Sequence, residues 1–199
     1  MNLFSISLVL FLIMDPIGNV SSFLSMVRGI EPKKQSKIVI REMLIALVFM
    51  VLFNYFGEVI FDWLSISETT VRLTSGLILF LVALQILFPH MRGIRDKLPQ
   101  EEPFIIPLAI PLIAGPSLLA TIMLYAHMEE SQPVMLGAII IAWTASVVVL
   151  LFSRLLLKVL GENGLMACER LMGMVLVLLA IQRFLDGIQQ FVVNFGIPY

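Results

Sequence analysis

Six apolar stretches, near residues 3–27, 39–62, 67–88, 104–126, 134–157 and 165–188, occupy most of this 199-residue chain. A helix needs about 20 apolar residues to cross a hydrocarbon core of roughly 30 Å, and each stretch is about that long. The connectors are too short to bury a core of their own, which excludes a separate soluble catalytic domain. Composition agrees: 59% of residues are hydrophobic and 14% charged, at a mean hydropathy of +1.00. The chain therefore reads as an all-α polytopic membrane protein, residues 1–199 forming one transmembrane domain in the lipid bilayer. Its first stretch has no basic leader and no small-residue cleavage site, so it is expected to stay as the first span.

The six stretches fall into two sets of three that align with each other. Leu12-Ile13-Met14-Asp15-Pro16 lies over Leu112-Ile113-Ala114-Gly115-Pro116 at an offset of one hundred. Ser75-Gly76-Leu77-Ile78-Leu79 lies over Met172-Gly173-Met174-Val175-Leu176, and Ala83-Leu84-Gln85 over Ala180-Ile181-Gln182, at an offset of 97. Each set has an odd number of crossings, so the second must enter the membrane from the opposite side. Two inverted three-helix repeats are expected, 3–89 and 104–190, joined by a polar linker at 90–103. Such repeats are characteristic of transporters and some channels, with the solute site where the halves meet.

Charge sets the orientation. Of the 13 basic residues, 11 lie in the connectors after the first, third and fifth spans or in the span ends beside them: Arg28, Lys33, Lys34, Lys37, Arg41, Arg92, Arg95, Lys97, Arg154, Lys158 and Arg170. Cytoplasmic loops carry the excess of Lys and Arg. Both termini are thus expected outside.

The first span is interrupted at Met14-Asp15-Pro16-Ile17-Gly18-Asn19, roughly 18 Å from its outer end at 1.5 Å per residue. Proline removes an N–H and clashes with the preceding turn, so the helix should break there. The fourth span repeats the pattern with Pro107, Pro111, Gly115 and Pro116. Matching breaks point to a transport site, although prolines also occur as plain structural kinks in membrane helices. Second half-helices starting at Ile17 to Asn19 and at Ser117 to Leu119 would offer N–H groups to a carboxylate. Asp15 and the freed carbonyls would suit an ammonium group or a coupling cation, so the site matches a small zwitterionic solute. A carboxylate near the bilayer centre costs about 2.5–3.5 kcal/mol on insertion scales, and such residues mark pathways. Asp15, Pro16, Gly18, Asn19, Gly115, Pro116 and Ser117 are the expected solute-binding residues, with Asp15 the ion-coupling group.

Asp15-Pro16-Ile17-Gly18-Asn19, the run Pro107-Leu108-Ala109-Ile110-Pro111-Leu112-Ile113-Ala114-Gly115-Pro116, and Glu169-Arg170-Leu171-Met172-Gly173 together resemble the MarC family of bacterial inner-membrane proteins, in its YhgN-like branch. The resemblance covers nearly the whole chain. Ser21 departs from it, standing where the family's first motif usually continues to a second proline. The resemblance implies inner-membrane localisation and, from a characterised transporter of the family, small neutral amino acids such as glycine and alanine as solutes.

A secondary transporter working by alternating access around the two breaks is therefore expected, coupled to a proton or sodium gradient, since no Gly-rich nucleotide loop is present. An exporter or a passive channel of the same architecture is the alternative. An enzyme is not expected: aspartyl proteolysis needs two facing carboxylates, and Asp186 falls near the far end of the sixth span. The single Cys168 permits no internal disulfide, and with only His90 and His127 no metal site is expected. Neither a cofactor nor a nucleic-acid partner is expected. Gln85, Gln182 and Asn54 read as interhelical packing residues, Arg41, Glu42, Arg154, Glu169 and Arg170 as anchors near span ends, Glu58 and Arg72 as an outer pair, and Trp63 and Tyr125 as interfacial aromatics.

Overall fold

The computed structural model describes residues 2–27, 30–88, 114–128 and 131–194, and every regular element in them is an α-helix. These are α1 (Leu3–Met14), α2 (Pro16–Met26), α3 (Pro32–Leu64), α4 (Glu68–Leu87), α5 (Pro116–Met128), α6 (Gln132–Leu151) and α7 (Ser153–Asn194). Four stretches, Leu3–Met26, Glu68–Leu87, Gln132–Leu151 and Ser153–Asn194, are long and apolar enough to cross a membrane, and α5 is a shorter apolar helix. The 33 residues of α3 extend about 50 Å at 1.5 Å per residue, longer than a hydrocarbon core.

Seven described helices stand where six spans were expected, for two local reasons. The first span is two helices, α1 and α2, meeting at Asp15. The fifth ends at Leu151 instead of 157, and α7 starts at Ser153, so the expected fifth connector is itself helical apart from Gly161, at φ 68° and ψ 177°. The linker 90–103 and the first part of the fourth span, with Pro107 and Pro111, lie outside the described residues.

The buried side chains form one main cluster drawn from α1, α2, α3, α4, α5, α6 and α7, with Leu10, Met14, Phe23, Met43, Met50, Ile122, Met135 and Ile139 closed off from the surface. Four of these eight are methionine, whose unbranched thioether fills irregular gaps between helices of mixed direction. Outward faces remain apolar, with Leu8, Leu44, Val48, Leu81, Ile140 and Leu178 exposed, a surface that suits lipid.

The closest helix pair is α4 with α7. Buried residues of α7 recur every three or four positions, Leu165, Glu169, Gly173, Leu176, Ala180, Arg183 and Gly187, which makes one stripe along the helix. Glycines let the two backbones approach. A Cβ at Gly76 would stand 2.9 Å from the Phe184 nitrogen and 3.0 Å from the Ala180 carbonyl, one at Gly173 would meet Ile86 and Leu87, and one at Gly187 would meet Leu73. Contacts that descend along α7 while ascending along α4 make the pair antiparallel.

Polar side chains tie the two ends. Arg154 of α7 donates to Gln35 Oε1 at 2.9 Å, and Gln35 donates to the carbonyls of Val27 and Ile30. This joins the basic connectors after the first and fifth spans at one end, called here the basic end. At the opposite end Gln190 donates to Glu68, Asn194 donates to Thr69, and Arg72 pairs with Glu68 at 2.6 Å. Glu68 lies four residues before Arg72 on the same helix face, the spacing that favours such a pair. The expected pairing of Arg72 with Glu58 involves a side chain that lies outside the described residues.

Candidate functional site

The break between α1 and α2 follows from three adjacent residues. Pro16 disfavours the helical conformation in the residue before it, and Asp15 takes the left-handed region at φ 43°, ψ 54°, which Asp tolerates better than most residues. Pro16 then fits the first position of α2, where no N–H is needed. Two of the backbone groups released by the break are recovered locally. The Gly18 N–H donates to Asp15 Oδ1 at 3.1 Å, and Asn19 Nδ2 donates to the Met14 carbonyl at 2.9 Å. The expectation of freed groups facing a ligand is corrected to that extent: these side chains cap the break themselves.

Asp15 is 4% exposed, and its second oxygen, Oδ2, is buried without a hydrogen-bond partner among the described residues. Buried polar atoms are nearly always paired, so an orphan carboxylate oxygen calls for a reason. It belongs to the wall of a cavity of about 250 Å³, lined from α1 and α2 by Ile13, Met14, Asp15, Gly18, Asn19 and Ser22. Ile78, Val82, Gln85 and Ile86 of α4, Gly115 to Leu118 at the start of α5, and Glu169 and Leu176 of α7 complete it. Six of the seven expected site residues thus meet in one space. Pro16, though buried, is not among the lining residues. Ser117 is 6% exposed, and its carbonyl accepts from Thr121 Oγ1 at 2.7 Å within α5. Ser146 of α6 donates to the Met14 sulfur at 3.6 Å, holding the joint from outside the cavity.

Two further residues line the cavity beside the expected set. Gln85, read from the sequence as packing, is one of them. Glu169, read as an anchor, is 9% exposed and shares the cavity. Its signal was available in the spacing Leu165-Glu169-Gly173-Leu176, which puts a carboxylate in the middle of a helix's apolar stripe. Glu42, also read as an anchor, is fully buried and pairs with Arg41 at 2.8 Å. Gln182 bonds to Asp186 on its own helix, and Asn54 bonds to Gln132, both away from the cavity. Trp63 is exposed as expected of an interfacial ring. Tyr125 is not: its hydroxyl accepts from buried Arg183 at 3.1 Å, and its ring lies 5.2 Å beneath the guanidinium. Arg183 also donates to Thr121 Oγ1 at 2.8 Å, which links α7 to α5 one turn beyond Ser117.

An open vestibule of about 630 Å³ lies at the basic end between α2, α3 and α7. Ser25, Arg154, Glu162 and Met166 form its exposed rim, and Glu169 forms part of its wall.

Residues 1–192 match the family described as "MarC family integral membrane protein". Over 187 residues, 93% of this chain and 95% of the relative, the sequence is 49% identical to "UPF0056 inner membrane protein YhgN" of Escherichia coli K12. A "UPF0056 membrane protein" of Buchnera aphidicola from Schizaphis graminum is 44% identical over 96% of this chain and 97% of its own length. One of Chlamydia pneumoniae is 34% identical over 94% and 93%. No solved structure matches the chain significantly.

Proposed function

Since the chain belongs to the MarC family and is a multi-pass integral membrane protein, we propose that it is an inner-membrane secondary transporter of small neutral amino acids of the glycine and alanine class. The observation that carries this reading is the Asp15 cavity of about 250 Å³, whose wall includes both the buried Asp15 and the first turn of α5. Pockets for drug-sized ligands run from about 300 Å³ upward, so this one suits a smaller solute. An ammonium group binds at Asp15, and the carboxylate of the same solute lies at the start of α5, where the helix dipole favours negative charge.

Packing supports the inverted repeat that alternating access requires. Under the sequence alignment α2 corresponds to α5, α3 to α6 and α4 to α7. The contacts respect this exchange: α2 packs on α6 and α7, α5 packs on α3 and α4, and the pairs α3 with α6 and α4 with α7 map onto themselves. Moving by the 97-residue offset, Gly76 and Leu87 become Gly173 and Phe184, and Gly76 meets Phe184 while Gly173 meets Leu87. Reciprocal contacts of this kind arise from a two-fold axis across an antiparallel pair. In this reading both termini face outward, the basic end is cytoplasmic, and the two halves rock about the breaks at Asp15 and Gly115-Pro116.

The test is reconstitution of the purified protein in liposomes with radiolabelled glycine and alanine, under imposed proton and sodium gradients. Saturable accumulation of either against its gradient is expected. Linear, non-saturating flux would convert the reading to a channel, and no flux of any neutral amino acid in either direction would end it.

A further inference from the structure

We infer that Glu169 is a second proton-carrying group, standing between the Asp15 cavity and the vestibule and passing the coupling proton to the basic end. The inference rests on the transporter reading for its function, and on geometry for its place.

Glu169 is the residue common to the walls of both spaces. On one side it faces the cavity that holds Asp15, Asn19 and Gln85; on the other it faces the vestibule that holds Ser21, Ser25 and Gln35. Among the described residues, the ionisable side chains lining the two spaces with it are Asp15 inward and Arg154 and Glu162 outward. Near the basic end the vestibule rim is exposed, while Glu169 is 9% exposed and Asp15 is 4% exposed. Burial therefore deepens along the line from rim to Glu169 to Asp15. A carboxyl side chain on that line is of the kind used in proton relays, where acidic groups succeed one another inside a bundle. The step conserves charge and involves no redox change: the proton leaves the Asp15 carboxyl, water in the cavity carries it to the Glu169 carboxylate, and Glu169 releases it to water in the vestibule.

Position on α7 adds a mechanical consequence. Glu169 lies one turn before Gly173, where α7 meets the end of α4 at Ile86 and Leu87. Rocking of α4 against α7 thus moves the divider between the two spaces, which ties proton release to the conformation open at the basic end.

Two measurements on the full-length protein test this. In liposomes loaded with a pH-sensitive dye, an alanine gradient is applied to the wild type, E169Q and E169D, and protons moved per alanine moved are counted. The ratio should fall at least tenfold in E169Q and stay within threefold of wild type in E169D; an unchanged ratio in E169Q overturns the proposal. The second needs no solute. In a C168S background, S22C probes the inner cavity and S25C the vestibule, with a charged, membrane-impermeant methanethiosulfonate applied to inside-out vesicles. S25C should react fast. S22C modification, divided by that of S25C at each pH, should depend on pH with Glu169 present and lose that dependence in E169Q, while E169A should raise it at least tenfold. A normalised S22C rate unaltered by both substitutions overturns the assignment. If the wild type moves no neutral amino acid, the transporter reading fails alone, and the thiol measurement still decides the place of Glu169.

Discussion

Asp15 holds two positions at once: it is the hinge residue of a broken helix and the orphan carboxylate of a cavity. Its Oδ1 caps Gly18, and its Oδ2 is unpaired among the described residues. Asn is as good an N-cap as Asp and also tolerates the left-handed region, so D15N should keep the joint while removing the charge. Concentrative uptake should be lost and solute exchange retained, with a melting temperature in detergent no lower than wild type because a buried charge is relieved. Full accumulation by D15N would eliminate Asp15 as the coupling group. Gly18 gives a complementary test. A Cβ there would collide with the Asp15 carboxylate, with Cγ at 2.8 Å and Oδ1 at 2.9 Å. Alanine is better in a helix by up to about 1 kcal/mol, so G18A should leave thermal stability nearly unchanged yet cut uptake at least tenfold by displacing the carboxylate. Unaltered uptake in a folded G18A protein would mean that the carboxylate's position does not matter.

At the scale of helices, the contact between α4 and α7 and the kink in α7 respond to substitution for different reasons. Val at Gly76 would press against the backbone of Ala180 and Phe184, which cannot swing aside; overpacking of that kind costs about 1–3 kcal/mol. At Gly161 no described atom lies within 4 Å of an added Cβ, but φ 68° with ψ 177° is a conformation that essentially only glycine adopts, so G161A bears a backbone penalty of about 1–3 kcal/mol without any packing clash. Titration with sodium dodecyl sulfate in mixed micelles should show both G76V and G161A less stable than wild type. Unchanged stability in G76V would contradict the close approach of these helices. The long α7 was not foreseen, since the polar connector between the fifth and sixth spans reads as a loop; helix nevertheless continues on either side of Gly161, although Gly161, Asn163 and Gly164 are weak helix formers.

For the molecule as a whole, the proposed orientation is open to a direct test. Basic residues after the first and fifth spans gather at one end through Arg154 and Gln35, while the other end is closed by Glu68, Arg72, Gln190 and Asn194. Under the proposal that the basic end is cytoplasmic, alkaline phosphatase fused at the C-terminus should be active and a green fluorescent protein fusion dark. A bright fluorescent fusion would invert the assignment. What the sequence by itself determined are the properties that arise within one helix: which stretches are apolar enough to enter lipid, where proline must break the first of them, and which residue types gather at the break. Hydropathy and proline sterics act over a few neighbouring residues, so they can be read along the chain. Only the tertiary structure decided that Gln85 and Glu169 share the cavity with Asp15 and that Tyr125 lies under Arg183. Each of these depends on how far a helix is turned about its own axis, which is set by what packs against it, as the glycine contacts of α4 and α7 set the turn that points Glu169 inward.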